Sequence, residues 1–197
     1  MIQLPPDIHT HDPERHDAVI QLTPGRDMAD DGRVYSIGIH PWDTTVTDAD
    51  WEQLLDEVSR TSSDRRIVMI GETGIDSLRG GSIPLQTMLL RRQAEISEAC
   101  GKPLLLHVVR AWPRVLALRR RMRPAQPWIA HGFRGKPQLA AELLRSGIDI
   151  SLGEHFNPET AAMIPAGRLY TETDTSPAGI DEIRQRINAF RSEKKFN

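Results

Sequence analysis

The sequence predicts an α/β protein, a TIM-type (β/α)8 barrel trimmed in its first third, and three observations predict it. Short apolar runs of strand length recur about eight times along the 197 residues. Amphipathic stretches with the 3.6-residue period of a helix separate most of them. Several runs end in His, Glu or Asp, and a parallel barrel gathers its strand ends on one rim, where chemistry is placed.

The expected strands lie near Asp7–His9, Ala18–Leu22, Val34–Ile39, Ile67–Gly71, Leu104–Val108, Trp128–His131, Asp149–Leu152 and Leu169–Glu172. Between them, Trp51, Leu54, Leu55 and Val58 follow the i, i+3, i+4, i+7 rule, with Thr47 as the expected N-cap. Leu85, Met88, Leu89, Ile96 and Ala99 make a second apolar face. Trp112, Val115, Leu116 and Met122 make a third, and Leu139, Ala140, Leu143 and Leu144 a fourth. The fourth helix has Pro137 early and Gly147 just past its end. Asn157-Pro158 and Ser176-Pro177 read as N-caps followed by Pro in the first turn, and the last helix turns Ile180, Ile183, Ile187 and Phe190 inward. Helices of this kind argue for a parallel sheet covered on its outside. Between His11 and Ala18 there is no room for a crossover helix, and little more between Leu22 and Val34. That is the trimmed portion.

Composition narrows the class. Apolar residues make up 39% and charged residues 26%, as in a soluble globular chain, and no linker divides residues 1–197, so a single domain is expected. A net charge of −2 gives no bulk attraction to a polyanion, so any such binding must be local. The lone Cys100 excludes an internal disulfide and fits a reducing compartment. No run approaches the roughly 18 apolar residues of a membrane span. Met1-Ile2-Gln3-Leu4-Pro5-Pro6 has neither the basic nor the long apolar region of a secretory signal. A cytoplasmic enzyme with no membrane role and no obligate protein partner is expected.

The chemistry-bearing residues come next. His9 and His11 stand at i and i+2, so in a strand both imidazoles point to one face and can hold one cation. Glu72 follows Val68-Met69-Ile70-Gly71, where an unpaired carboxylate is costly to bury. It wants a cation, an Arg or backbone donors, and a carboxylate can bridge two metals about 3.5–4 Å apart. His107 and His131 end successive apolar runs. One such His is more often structural than ligating; two beside a His-x-His pair shift that balance. Imidazole suits Zn, Mn, Fe, Co or Ni better than Ca. Asp174 ends the last run, where it can ligate a metal and take a proton from water.

Nearby residues fill out the rim. His40, in Gly38-Ile39-His40-Pro41-Trp42, could bind a phosphate or the leaving group, and Asp76 could orient a ligand or substrate. Arg110 and Arg134, a few residues past His107 and His131, could clamp a phosphate bidentately. Arg119-Arg120-Arg121-Met122-Arg123 sits late in a helix, where cations suit the dipole, and reads as a solvated face. Glu154-His155 could line the site without His155 ligating. Trp42, Trp112 and Trp128 read as core or rim packing rather than as base-stacking surfaces.

In Asp7-Ile8-His9-Thr10-His11, Gly38-Ile39-His40-Pro41, Ile70-Gly71-Glu72-Thr73-Gly74-Ile75-Asp76, His107, His131-Gly132-Phe133-Arg134-Gly135 and Glu172-Thr173-Asp174, the chain resembles the TatD family of metal-dependent hydrolases. The resemblance implies a TIM-type barrel with two divalent metal ions (Mg, Mn or Zn). It implies that His9, His11, Glu72 and Asp174 hold one ion and that Glu72, His107 and His131 hold the other. Members are DNases, and some are linked to other hydrolyses, including deacylation of D-aminoacyl-tRNA. The chain departs from the family pattern in its shorter length, in Thr175-Ser176 before Pro177, and in Arg134 where a small residue is usual.

The function expected is therefore a dinuclear metal-dependent phosphodiesterase or deoxyribonuclease. A metal-bound hydroxide would be the nucleophile, with Asp174 and Glu72 catalytic and a nucleic acid or other phosphodiester as substrate. Two rivals stand beside it. An amide or ester hydrolase would use the same metals but call for an apolar pocket. A binding protein would retain metals without turnover, against which the intact ligand set argues.

Overall fold

The computed structural model describes residues 4–193; Met1–Gln3, the start of the stretch that reads as no secretory signal, lies outside them. Eight parallel strands run in the sheet order β1 to β8. They are β1 (Asp7–Thr10), β2 (Ala18–Leu22), β3 (Val34–Ile37), β4 (Ile67–Asp76), β5 (Leu104–Val109), β6 (Trp128–Ala130), β7 (Ile148–Leu152) and β8 (Leu169–Thr171). The helices are α1 (Trp51–Thr61), α2 (Ile83–Cys100), α3 (Trp112–Met122), α4 (Pro137–Arg145), α5 (Pro158–Met163) and α6 (Ile180–Glu193). Among the described residues each strand from β3 onward is followed by a helix, and β1 and β2 are not. This is the (β/α)8 order expected, trimmed where the spacing left no room for a crossover.

The chain falls into two compact units. The first combines the segments ending at Ile20 and beginning at Ile129; the second is Gln21–Trp128. In the first unit β1 pairs with β2 (Asp7 with Ala18, Thr10 with Ile20) and β7 with β8 (Ile150 with Leu169, Leu152 with Thr171). The chain just past β8 returns to β1: Asp174 N–H donates to the His9 carbonyl over 2.9 Å, and His11 N–H donates to the Asp174 carbonyl over 3.1 Å. Ile8, Val19, Ile129, Leu143, Ile150, Leu152, Ile183 and Ile187 form its buried apolar interior.

In the second unit β4 is the organising strand. It pairs with β3 (Ser36 with Met69) and with β5 (Thr73 with Leu106, Gly74 with His107). It runs to Asp76, five residues beyond the Gly71 end read from the sequence, and is buried throughout. Gly71 and Gly74 permit this: both have positive φ, +126° and +155°, and the β4–β5 register shifts between Ile70 and Thr73. The apolar run stops at Gly71, but the strand bulges there and continues. Glu72 therefore lies inside the strand, and Asp76, not Glu72, marks its end.

Several local expectations are corrected. Asp50, not Thr47, caps α1, its side chain accepting from Gln53 N–H over 3.0 Å. Helix α2 buries Gln86, Leu89, Leu90, Gln93, Ala94 and Ser97, so its inward face is turned from Leu85, Met88, Ile96 and Ala99. The two glutamines explain the turn. Gln93 accepts from Ile39 N–H over 2.7 Å and donates to Thr73 Oγ1 over 2.6 Å; Gln86 accepts from Asp76 N–H over 2.8 Å and donates to the Gly81 carbonyl over 2.9 Å. A buried amide with every partner in place overrides a hydropathy pattern. No helix starts at Ser176-Pro177; Ser176 Oγ instead donates to Glu154 Oε2 over 2.5 Å, and α6 begins at Ile180. In α6 Ile183 and Ile187 are buried, but Phe190 is exposed, edge-on to Phe156 at 5.8 Å. Asn157 caps α5 as expected, accepting from Glu159 and Thr160 N–H.

Candidate active site

Each unit carries its own cluster of ligand-type side chains. In the first unit, β1 presents His9, fully buried, and the next turn presents His11. His9 Nε2 lies 3.9 Å and His11 Nε2 3.8 Å from Asp174 Oδ1. The i, i+2 spacing puts both rings on one face, their centroids 4.9 Å apart. Asp174 has a left-handed φ of +53° and is held by the backbone bonds to His9 and His11. Asp7 clasps the far side, buried, accepting from Thr173 N–H at 3.0 Å and Thr173 Oγ1 at 2.7 Å. Burial pushes the Asp7 carboxyl up against these hydrogen bonds.

His131, just past β6, stands with its ring centroid 4.7 Å from that of His9. Its Nδ1 is 3.1 Å from Glu172 Oε1, which also accepts from Gly132 N–H over 2.6 Å. Glu172 is wholly buried. Burial pushes its carboxyl up, but the His131 imidazole beside it, with His9, brings it below the usual carboxylate range. His131, Glu172 and Asp174 form a second group whose ligand atoms all lie within 4.8 Å of one another, as do those of His9, His11 and Asp174. Sequence reading gave Glu172 no role. The signal was there: a charge one residue past a β-like run, two residues before Asp174, repeats the His-x-His spacing.

In the second unit Glu72 is the hub. Its Oε1 is 2.8 Å from His107 Nδ1 and 3.3 Å from His40 Nε2, and its N–H donates to Gln21 Oε1 over 2.7 Å. His107 Nε2 faces Asp76 Oδ2 at 3.4 Å. His40 caps the 3-10 turn Pro41–Thr45: its Nδ1 accepts from Trp42 N–H over 3.1 Å. That bond assigns the ring proton to Nε2 in the neutral imidazole, so His40 donates toward Glu72 rather than offering it a lone pair. Asp76 accepts from Leu78 N–H (2.8 Å) and Arg79 N–H (3.1 Å) through Oδ1 and from the Trp42 indole N–H (2.7 Å) through Oδ2. Burial raises the Asp76 carboxyl, and the Trp42, Leu78, His107 and Arg79 donors more than reverse this, holding it below its ordinary value.

The fit to divalent ions rests on donor chemistry. Both units bring imidazole nitrogens and carboxylate oxygens together, the donor set of Zn, Mn or other transition ions, and in the first unit His9, His11 and Asp174 do so within 4.8 Å. His11 and the carboxylate of Asp174 are partly open to solvent, so an ion has a way in.

The expected phosphate-binding residues divide. Arg134 is exposed and, with Glu154, His155, Asp174 and Ser176, lines a polar cavity of about 180 Å³ in the first unit. Glu154 there is held below its ordinary value, first by the Ser176 hydroxyl and also by His155, Arg186 and Arg134. Arg110 is exposed just past β5, with a left-handed φ of +51°, its carbonyl accepting from Ser77 Oγ over 3.3 Å. His155 is an exposed side chain beside Glu154. Trp128 is core, with the Arg119 guanidinium 5.3 Å from its ring centroid, whereas Trp42 is exposed on the rim.

The family model of TatD related DNases matches residues 8–190. The chain is 30% identical to the 3′-5′ ssDNA/RNA exonuclease TatD of Cronobacter turicensis, over 70% of this chain and 55% of that one. It is 29% identical to the exonuclease of the same name from Pectobacterium parmentieri, over 79% and 63%. It is 28% identical to an uncharacterized metal-dependent hydrolase TatD of Mycobacterium tuberculosis, over 73% and 59%. The chain thus spans between about half and two thirds of these relatives. Among solved structures, a TatD homolog from Escherichia coli superimposes with a TM-score of 0.67 at 18% identity, covering 88% of this chain and 83% of that one. A TatD family hydrolase from Entamoeba histolytica gives 0.61 at 22%, covering 71% and 50%. These likenesses show the fold class, the TIM-type (β/α)8 barrel.

Proposed function

Since the chain belongs to the TatD related DNase family, we propose that it is a divalent-metal-dependent phosphodiesterase that removes nucleotides from the ends of single-stranded nucleic acid. The observation that carries the reading is the His9–His11–Asp174 cluster: an imidazole of β1 and one just past its end converging on one carboxylate oxygen at 3.9 and 3.8 Å. The exonuclease relatives, which act on single-stranded DNA and RNA as their names state, support the substrate class.

The proposed ligands are His9, His11, Glu72, His107, His131 and Asp174, holding two divalent ions, Mg, Mn or Zn. Divalent ions bound there supply Lewis acidity to a phosphoryl oxygen and acidify water. The residues of the chain do the rest. Asp174, opening on the polar cavity, takes up the proton of the attacking water. Glu72 is held in place between the His40 and His107 rings, its Oε1 3.3 and 2.8 Å from their nearest nitrogens. Arg134, on the same cavity as Asp174, holds a non-bridging phosphoryl oxygen. Arg110 and Asp76 line the second unit's part of the rim, Asp76 as the anchor of His107 and Trp42. The cytoplasm, where nucleic acids and a lone thiol such as Cys100 belong, is the proposed compartment. Among the described residues no helix is long and apolar enough to cross a membrane.

The cavity beside Asp174 favours this over the amide or ester hydrolase. Its lining carries Arg134, Glu154, His155 and Ser176, whereas a neutral acyl substrate calls for an apolar pocket. The test is hydrolysis of a chromogenic phosphodiester and of a labelled single-stranded oligonucleotide by metal-stripped protein with Mg, Mn or Zn added, and Asp174→Asn as control. Metal-dependent release of mononucleotides, lost in the variant, is the expected outcome. Bound metal with no phosphodiester cleavage, alongside turnover of aminoacyl esters, overturns it in favour of the rival.

A further inference from the structure

Trp42 is the large side chain that the proposed chemistry does not use. It is 44% exposed, in the turn that His40 opens, yet it is held in one place. Its indole N–H donates to Asp76 Oδ2 over 2.7 Å, and its backbone N–H donates to His40 Nδ1 over 3.1 Å. Its ring meets those of His40 and His107 edge to face, with centroids 4.9 and 5.6 Å away. The Arg79 guanidinium lies 4.7 Å from the ring centroid, and Arg79 N–H is tied to Asp76 Oδ1. All of these residues belong to the second unit.

A half-exposed ring pinned by hydrogen bonds presents a preformed flat surface to a ligand. The surroundings select it. A flat π surface with a guanidinium against it, beside a His and carboxylate cluster, has the ingredients that bind bases of single strands. Every base has a π face, and Arg adds a cation–π contribution. Because the ring is already fixed by Asp76 and His40, little rotamer freedom remains to be lost on binding.

We propose that Trp42, with Arg79, is a stacking platform for a nucleobase of single-stranded nucleic acid, positioning the nucleotide next to the His40–Glu72–His107 cluster. The inference rests on the phosphodiesterase reading and deepens it: the chain requires an unpaired base at this point and is indifferent to which base. Duplex, whose bases are stacked inside, is excluded from the platform.

The experiment measures binding, by fluorescence anisotropy, of the metal-stripped full chain to a labelled oligothymidylate and to an abasic oligonucleotide of equal length. Trp42→Ala weakens binding of the oligothymidylate by about tenfold and leaves the abasic strand unchanged. Trp42→Phe, which keeps a ring but loses the indole N–H that fixes it on Asp76, binds the oligothymidylate less tightly than the parent and more tightly than Trp42→Ala. Equal weakening for both strands, or none for either, overturns the platform, as does a Phe variant as weak as the Ala variant. Circular dichroism checks that each variant folds, and Trp42→Leu, which keeps apolar bulk without a π face, carries the same comparison if the Ala variant does not. Cleavage of both strands by the metal-loaded parent separates the two failures. No cleavage of either overturns the phosphodiesterase reading, whereas cleavage with base-independent binding overturns the platform alone.

Discussion

Glu172 Oε1 lies 3.1 Å from His131 Nδ1, from 41 residues along the chain, and turns Nε2 of that ring the other way. A carboxylate on the outer nitrogen of a ligating imidazole fixes its tautomer and raises its basicity. Glu172→Gln keeps the shape and the Gly132 contact but removes the charge. Its expected effect is a loss of about 10- to 100-fold in metal affinity, read by competition with a chromophoric chelator. Unchanged affinity would make Glu172 a purely structural group.

His9 and His11 face the same carboxylate oxygen from opposite conditions of burial: His9 is fully buried, while the His11 side chain is 43% exposed. Both alanine variants should lose bound metal by elemental analysis. Only His9→Ala should also unfold earlier in urea, because it opens a cavity; His11→Ala should stay within about 0.5 kcal/mol of the parent. Equal stability of the two variants would contradict the assignment.

Gln93 is the polar keystone of the second unit, joining Ile39 of the segment after β3 to Thr73 of β4 from helix α2. Gln93→Leu conserves size but leaves the Ile39 N–H and carbonyl and the Thr73 hydroxyl without this partner. Each orphaned buried group costs about 1–3 kcal/mol, so the variant should lose at least about 2 kcal/mol in chemical denaturation. A variant as stable as the parent would show that the site rearranges.

Gly74 has φ +155°, and a Cβ built on it would overlap the His107 carbonyl at 1.8 Å. Backbone cannot step aside as a flexible side chain can. Gly74→Ala should therefore separate β4 from β5 around His107, lowering both the midpoint of thermal unfolding and metal retention. A variant that keeps both would mean that the strands tolerate the shift.

Asp64 supplies the pH dependence. The Arg66 side chain, foremost, and its backbone N–H hold the Asp64 carboxyl at about 2 against an ordinary 3.8. A carboxyl lowered on folding contributes stability that is complete above its unfolded value and is lost as pH falls through its folded value. The contribution should fade from about pH 4 to about pH 2. Asp64→Asn should lack that stretch of the acid decline, so the gap between the two urea midpoints narrows there and stays level above about pH 5. A gap that does not change with pH would show that the pair carries no linkage.

Strand number, order and approximate limits were legible in the chain, because parallel strands buried on both faces are continuous apolar runs and carry their own signal. The missing helices after β1 and β2 were legible too, as a matter of length. The ligand types at the run ends, and the pairing of His9 with His11, followed from the two-residue period of a strand. Less visible was anything decided by a distant partner. The extension of β4 through Gly71 and Gly74 depends on a bulge against β5, and the inward turn of α2 depends on where Gln86 and Gln93 find their hydrogen bonds.

The same division holds at the site. The sequence by itself determined the fold class and offered ligand-type residues at the strand ends, since both follow from local periodicity and residue chemistry. Only the tertiary structure decided what those residues do to one another. It turned Glu172 onto His131, used Nδ1 of His40 as a cap so that Nε2 faces Glu72, and pinned an exposed Trp42 to Asp76. Hydrogen bonds act over about 3 Å between residues up to 166 positions apart in this chain, and their partners are set by how the strands stack, which no local pattern encodes.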